Sequence, residues 1–252
     1  MARVFVQDTE LQDIANAIRE KNGTETTYKP SEMGNAVRGI QSGGSGEEFV
    51  GIKFSGDWNY RNQPTIADAS ALPEDKELFG GYFSLFKNNN ANANGGFYVA
   101  LKTVYLPKMR TFPIDIFYYC RDLKNIYGDF TNVYKVSTNA FFGCSSLTDL
   151  PYMENVEVLE NNCFAKCTAL SRFPYLPKLY KINKDIITET AITDVKIYNT
   201  IDSFDSVAFR NSNVIDIYVP WSEGEVNNAP WGATNATIHY NTVYDENNNP
   251  IV

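Results

Sequence analysis

"FFGCSSLTDLPYMENVEVLENNCFAKCTALSRFP", residues 141–174, nearly says one phrase twice. Phe141, Cys144, Leu147 and Pro151 return as Phe164, Cys167, Leu170 and Pro174, each displaced by 23 residues. Outward from this stretch the phrase continues in both directions. Its leucine-type anchors are Leu101, Leu123, Leu147, Leu170, Ile192 and Val214, spaced by 22, 24, 23, 22 and 22 residues. Three residues beyond each anchor stands a second apolar residue: Val104, Ile126, Leu150, Phe173, Val195 and Ile217. A bulky position upstream of the anchors holds Phe117, Phe141, Phe164, Ile187 and Phe209. The turn leading into it is built on Phe112, Val136, Leu159, Ile182 and Phe204.

Each unit thus presents about four apolar side chains at fixed offsets, too few for a core of its own. Stacking the units joins those positions into continuous apolar columns, which predicts a solenoid. Anchor and anchor +3 fit a short strand or extended segment, closed in four coils by Pro107, Pro151, Pro174 and Pro220. Cys120, Cys144 and Cys167 fall in one inward slot, where a thiol acts as a small buried hydrophobe. Coils five ("TETAI") and six ("RNSNV") dispense with it. Cys163 falls in the slot of Ala140 and could still pair with a neighbouring thiol.

The flanks read differently. In "DTELQDIANAIREKNG", Leu11, Ile14, Ala15 and Ile18 share one helical face, with Asp8 or Thr9 as cap and Asn22-Gly23 as stop. Met33, Ala36, Val37 and Ile40 mark a second helix after Pro30. Two such helices bury their stripes poorly alone, so residues 1–40 are expected to dock on something, through Leu11, Ile14, Ile18, Met33, Val37 and Ile40. Residues 41–48, "QSGGSGEE", form a flexible linker. Residues 49–100 are irregular and include an Asn/Gly-rich loop, "KNNNANANGG" at 87–96.

Composition narrows the function. A net charge of −8 and no Lys/Arg run longer than two residues argue against a nucleic-acid partner. No apolar run approaches a membrane span, and "MARVFVQDTE" lacks the features of a signal peptide. The single histidine, His239, lies in an alternating strand, "ATIHYNT", and no nucleophile, phosphate or zinc motif is present. Acid pairs drawn from Asp115, Asp122, Asp129, Asp149 and Asp216 remain open, although most face solvent in the repeat. No enzyme activity, cofactor or metal site is expected. One feature stands out: a tyrosine just past each anchor pair, at Tyr105, Tyr127, Tyr152, Tyr175, Tyr198 and Tyr218. Stacked, these should form a ragged aromatic column. It would either serve as a binding surface or simply pack rib to rib.

"NAFFGCSSLTDLP" resembles the BspA-like leucine-rich repeat, over about residues 101–219. The stretch from residue 220, with Trp221 and Trp231, resembles the C-terminal cap that follows such arrays in proteins of Firmicutes and their phages. "LQDIANAIREKNGTETTYKPSEMGNAV" resembles a segment at the start of tail and other virion proteins of Firmicutes phages. The expected fold is therefore an α+β repeat solenoid: a small helical hairpin (1–40), linker (41–48), irregular part (49–100), leucine-rich repeats (101–219) and cap (220–252). The resemblance implies an external phage virion protein, made in the host cytoplasm without a signal peptide. It would contact other virion proteins through residues 1–40, act as a homo-oligomer in the particle, and bind a bacterial surface polysaccharide or protein. A decoration protein with no receptor and a bacterial BspA-type adhesin are the alternatives.

Overall fold

The computed structural model describes residues 52–57, 64–70 and 100–251. The chain divides into two units, Met1–Phe49 and Val50–Val252, and only the second falls among the described residues. The helical hairpin expected over residues 1–40, its docking residues, the linker and the Asn-rich loop all lie outside them. The described residues contain short strands and turns and no helix.

Among the described residues, fourteen strands run in chain order. They are β1 (Lys53–Ser55), β2 (Ile66–Asp68), β3 (Thr103–Tyr105), β4 (Thr111–Phe112), β5 (Asn125–Tyr127), β6 (Lys135–Val136) and β7 (Val158–Leu159), followed by β8 (Lys181–Ile182), β9 (Asp194–Lys196), β10 (Ser203–Phe204), β11 (Asp216–Tyr218), β12 (Thr237–His239), β13 (Val243–Tyr244) and β14 (Pro250–Ile251). Stacking places the coils' strands in two parallel ladders, the second continuous and the first interrupted at coils three and four.

The first ladder carries the anchor +3 residues. It comprises β1-β2-β3-β5 at one end and β9-β11-β12 at the other. All its pairings are parallel except β1 with β2. Ala67 pairs with Val104, and Ile217 pairs with Ile238. One rung therefore comes from the irregular region and one from the cap. The second ladder, β4-β6-β7-β8-β10, runs unbroken through five coils. Its residues Phe112, Val136, Leu159, Ile182 and Phe204 were expected in a turn. They are instead the inward halves of two-residue strands.

Between the second ladder and the anchor, the chain makes a tight turn whose backbone pairs with the next coil. Residues two before the bulky position, Asp115, Asn139, Asn162 and Asp185, have φ of 55–57°. Those two after it, Tyr119, Gly143, Lys166, Glu189 and Asn211, have φ of 53–76°. Asp and Asn tolerate this left-handed region best, which accounts for their use at the first position. Positive φ turns each N–H along the stacking direction. Asn139 N–H meets Asn161 O at 3.0 Å, Tyr119 N–H meets Phe142 O at 2.7 Å, and Lys166 N–H meets Thr188 O at 2.7 Å. Gly143 has a further constraint, because a Cβ there would fall 2.5 Å from the Tyr119 ring.

The core is a set of columns. All six anchors are buried, and Phe117, Phe141, Phe164, Ile187 and Phe209 are fully enclosed. Phe141 touches Phe112, Phe117 and Phe164 at 4.9, 5.5 and 5.7 Å between centroids. A further buried column, Met109, Val133, Val156, Leu179 and Ile201, lies three residues before the second ladder. At the C-terminal end Trp231 takes the place of the next coil's bulky residue. It is fully buried, stacks on Phe204 at 4.2 Å, and its carbonyl accepts the Phe209 N–H at 2.8 Å. Trp221 packs edge-on against it at 6.2 Å.

Candidate functional site

All four cysteines are free and buried. Burial pushes the Cys120 thiol up to about 12, and burial likewise raises Cys144 and Cys163 well above the ordinary thiol range. Such thiols are protonated and inert. The slot also has a polar use: Cys144 Sγ donates to Phe117 O at 3.2 Å and Cys167 Sγ to Phe141 O at 3.1 Å. Coils five and six place hydroxyls at the same distance from the bulky residue. Thr190 Oγ1 donates to Ile187 O at 2.9 Å and Ser212 Oγ to Phe209 O at 2.6 Å.

Four of the five carboxylates considered for acid–base work, all but Asp122, have other partners. Asp115 accepts from Asn139 Nδ2 at 3.0 Å, and Asp129 accepts the Thr131 hydroxyl at 2.6 Å. The Thr131 hydroxyl and N–H hold the Asp129 carboxyl below the usual range. Asp216 meets His239 Nε2 at 2.7 Å. Among the described residues, no three His, Cys, Asp or Glu side chains converge as a metal site would require.

The six tyrosines separate into three groups. Tyr105 and Tyr127, in β3 and β5, stack at 5.1 Å and are exposed. Tyr152 and Tyr175 stack at 6.4 Å with only 16° between their planes. Tyr198 meets Tyr175 edge-on at 4.9 Å but is half-buried, which pushes its hydroxyl up to about 12. Tyr218 leaves the series and stacks on His239 at 4.4 Å. Tyr244, from the cap, was not signalled by the period. Its ring lies 4.4 Å from Tyr198, and its hydroxyl donates to Ile197 O at 3.0 Å.

The cause of this division lies in two prolines. Counted from the anchor, Tyr105, Tyr127, Pro151, Pro174, Lys196 and Tyr218 are equivalent. In β3, β5, β9 and β11 this is the third strand residue, whose side chain points outward. Proline has no N–H for a ladder. At Pro151 and Pro174 the first ladder accordingly stops, and no strand forms at residues 149–151 or 172–174. The outward position slips by one residue, to Tyr152 and Tyr175. The next residues, Met153 and Leu176, turn inward and are buried. Pro107 and Pro220, by contrast, lie beyond their strands and leave the ladder intact.

Where the ladder is interrupted, a groove of about 230 Å³ opens. Its walls are the Tyr152 and Tyr175 rings, Pro151, Pro174 and the ion pair of Arg172 with Asp149, 2.5 Å apart. Tyr152 is 62% exposed, and its hydroxyl donates to Glu154 Oε2 at 2.7 Å. That bond is the first cause of its raised pKa. The groove thus sets two nearly parallel tyrosine rings beside a carboxylate and a guanidinium that are both exposed.

Residues 97–216 match the BspA type leucine rich repeat region in six copies. The array is thus similar to a BspA-type leucine-rich repeat region. Its six copies cover the tyrosines from Tyr105 to Tyr198, the groove and the cysteine slots. Among solved structures, a leucine-rich repeat protein from Bacteroides ovatus is 20% identical, with a TM-score of 0.38 over 60% of this chain and 42% of that one. A T. pallidum leucine-rich repeat protein is 22% identical, with a TM-score of 0.34 over 58% of this chain and 60% of that one. This chain therefore spans less than two thirds of either. No curated protein matches it.

Proposed function

We propose that this chain is an external phage virion protein, of the tail or another appendage, whose leucine-rich repeats recognise a component of the bacterial surface. The observation that carries recognition is the groove at coils three and four. Two prolines interrupt the ladder there, and two nearly parallel tyrosine rings and an exposed charged pair line the groove. Tyrosine offers a large amphipathic contact with little entropy to lose, which suits a weak site repeated over many copies. The virion assignment draws on the sequence of residues 1–40, which would dock the protein on other virion proteins as a homo-oligomer. A bacterial surface adhesin is the second reading, favoured by the match to the BspA type repeat.

Labelled full-length protein is expected to bind Gram-positive host cells saturably. The double variant Tyr152→Ala/Tyr175→Ala is expected to bind them much more weakly while melting normally. Equal binding by that variant refutes the groove as the recognition site. Immunolabelling of purified particles separates the two readings: signal on particles supports the virion protein, and signal confined to the cell envelope supports the adhesin.

A further inference from the structure

We propose, resting on the recognition role above, that the groove binds a neutral glycan, one or two pyranose rings of a longer chain. The aromatic geometry is the first argument. The Tyr152 and Tyr175 rings are nearly parallel, 16° apart, and both line the groove. A π face is electron-rich, so it attracts the weakly positive C–H bonds that cover one side of a pyranose ring.

The polar wall is the second argument. Asp149 presents two acceptor oxygens and Arg172 a fork of donors, matching neighbouring hydroxyls that each donate and accept. Their side chains are 58% and 78% exposed. An ion pair so exposed is worth little, and hydroxyls can therefore be inserted between its partners at small cost. The pair is neutral overall and the chain carries −8, so nothing here calls for an anionic ligand. The lining also disfavours an extended peptide. Such a peptide would add as a strand through backbone N–H and C=O groups, and Pro151 and Pro174 remove the donors where they are needed. A groove of about 230 Å³ is smaller than an ordinary small-molecule site, about 300–1,000 Å³, and it is open, as a site for part of a polymer would be.

The glycan could belong to a wall polysaccharide or to a glycoprotein, and competition on cells distinguishes these. Full-length protein is bound to host cells in the presence of their wall polysaccharide, freed of protein and phosphate. Parallel samples are shaved with protease or stripped of polysaccharide beforehand. Inhibition by the purified polysaccharide supports the proposal, with a loss of about fivefold or more in apparent affinity for Arg172→Met and for Tyr175→Ala. Tyr127→Ala, outside the groove, should bind normally. Loss of binding on stripping assigns the glycan to the wall. Loss on shaving, with glycan-only fragments of the shaved material still inhibiting, assigns it to a glycoprotein. Binding that neither polysaccharide nor glycan fragments inhibit overturns the glycan and leaves recognition standing. Absence of any cell binding overturns both. Arg172→Met guards against misfolding, because that side chain is mostly in solvent.

Discussion

The Phe141 column tests whether the core works as stacked, nearly equivalent slots. Phe141 is fully buried between the bulky residues of the coils before and after it, with Phe112 against its edge at 4.9 Å. Phe141→Ala removes a ring from a site whose neighbours are held by ladder bonds on both sides and cannot collapse inward. The expected loss is about 4 kcal/mol, within the range for burying and then deleting an aromatic side chain. For a folded unit of about 200 residues, that corresponds to a fall in Tm of roughly 8–16 °C. Phe141→Ile should behave differently, because coil five already fills this slot with the fully buried Ile187. Its expected loss is about 1–1.5 kcal/mol, mostly the aromatic contacts. Calorimetry on the two variants, with urea titration as a second reading of stability, gives both numbers. The reasoning is refuted if Phe141→Ala loses less than about 1.5 kcal/mol, or if the isoleucine is as harmful as the alanine.

Three other outcomes follow from the same geometry. The four thiols should resist a thiol reagent at pH 8 in the native protein and react together on unfolding, since all four are buried out of its reach; early modification of Cys144 or Cys167 would contradict their placement. Tyr198 and Cys120 both ionise near pH 12 when folded, above their ordinary values of 10.0 and 9.0. The folded state therefore holds these protons more tightly, and their stabilisation is complete below pH 9 and lost as pH climbs to 12. Melting followed across that window should show the loss, and Tyr198→Phe should lessen its slope above pH 10. Arg210 makes two bonds to Asp185, at 3.0 and 2.7 Å, and the Asp185 side chain is only 11% exposed. Arg210→Ala should cost about 1–2 kcal/mol by leaving that carboxylate unpaired. Adding Asp185→Asn should restore part of it, because Asn139 and Asn162 hold the same left-handed position in neighbouring coils.

How far the fold can be read from the chain depends on which residue serves as the ruler. Measured from the anchors, the bulky positions and the cysteine slot emerge at once, and the columns they predict are the core. The same ruler hides Thr190 and Ser212, because coils five and six lose one residue between slot and anchor. Measured from the bulky residue, all five lie at +3. The column from Met109 to Ile201 was within reach too, but its mixture of Met, Val, Leu and Ile has no signature residue to draw attention. The rung at Ile66–Asp68 carries none of the repeat's bulky landmarks, and its buried residue is the small Ala67. Tyr198 misleads for a related reason. It follows the inward, buried Ile197 of a coil with no slip, and it is half-buried where Tyr152 is exposed.

The prolines explain why the candidate site lies where it does. A solenoid whose every coil obeyed the rule would present continuous ladders, with each backbone N–H and C=O spoken for by a neighbour. Such a surface is stable and offers a ligand only side chains. Replacing one outward ladder residue by proline in two consecutive coils forfeits backbone bonds on that face. The second ladder and the turn bonds still join the same coils, through pairs such as Phe141 N–H to Cys163 O at 2.9 Å. Stability is thus redundant at the point where the first ladder is given up. The one-residue slip then carries Tyr152 and Tyr175 outward and Met153 and Leu176 inward, so a single substitution type both opens the groove and lines it. Proline elsewhere in the array, at Pro107 and Pro220, opens nothing because it lies past the strand. Position within the coil, rather than the presence of proline, separates a cap for a strand from a site.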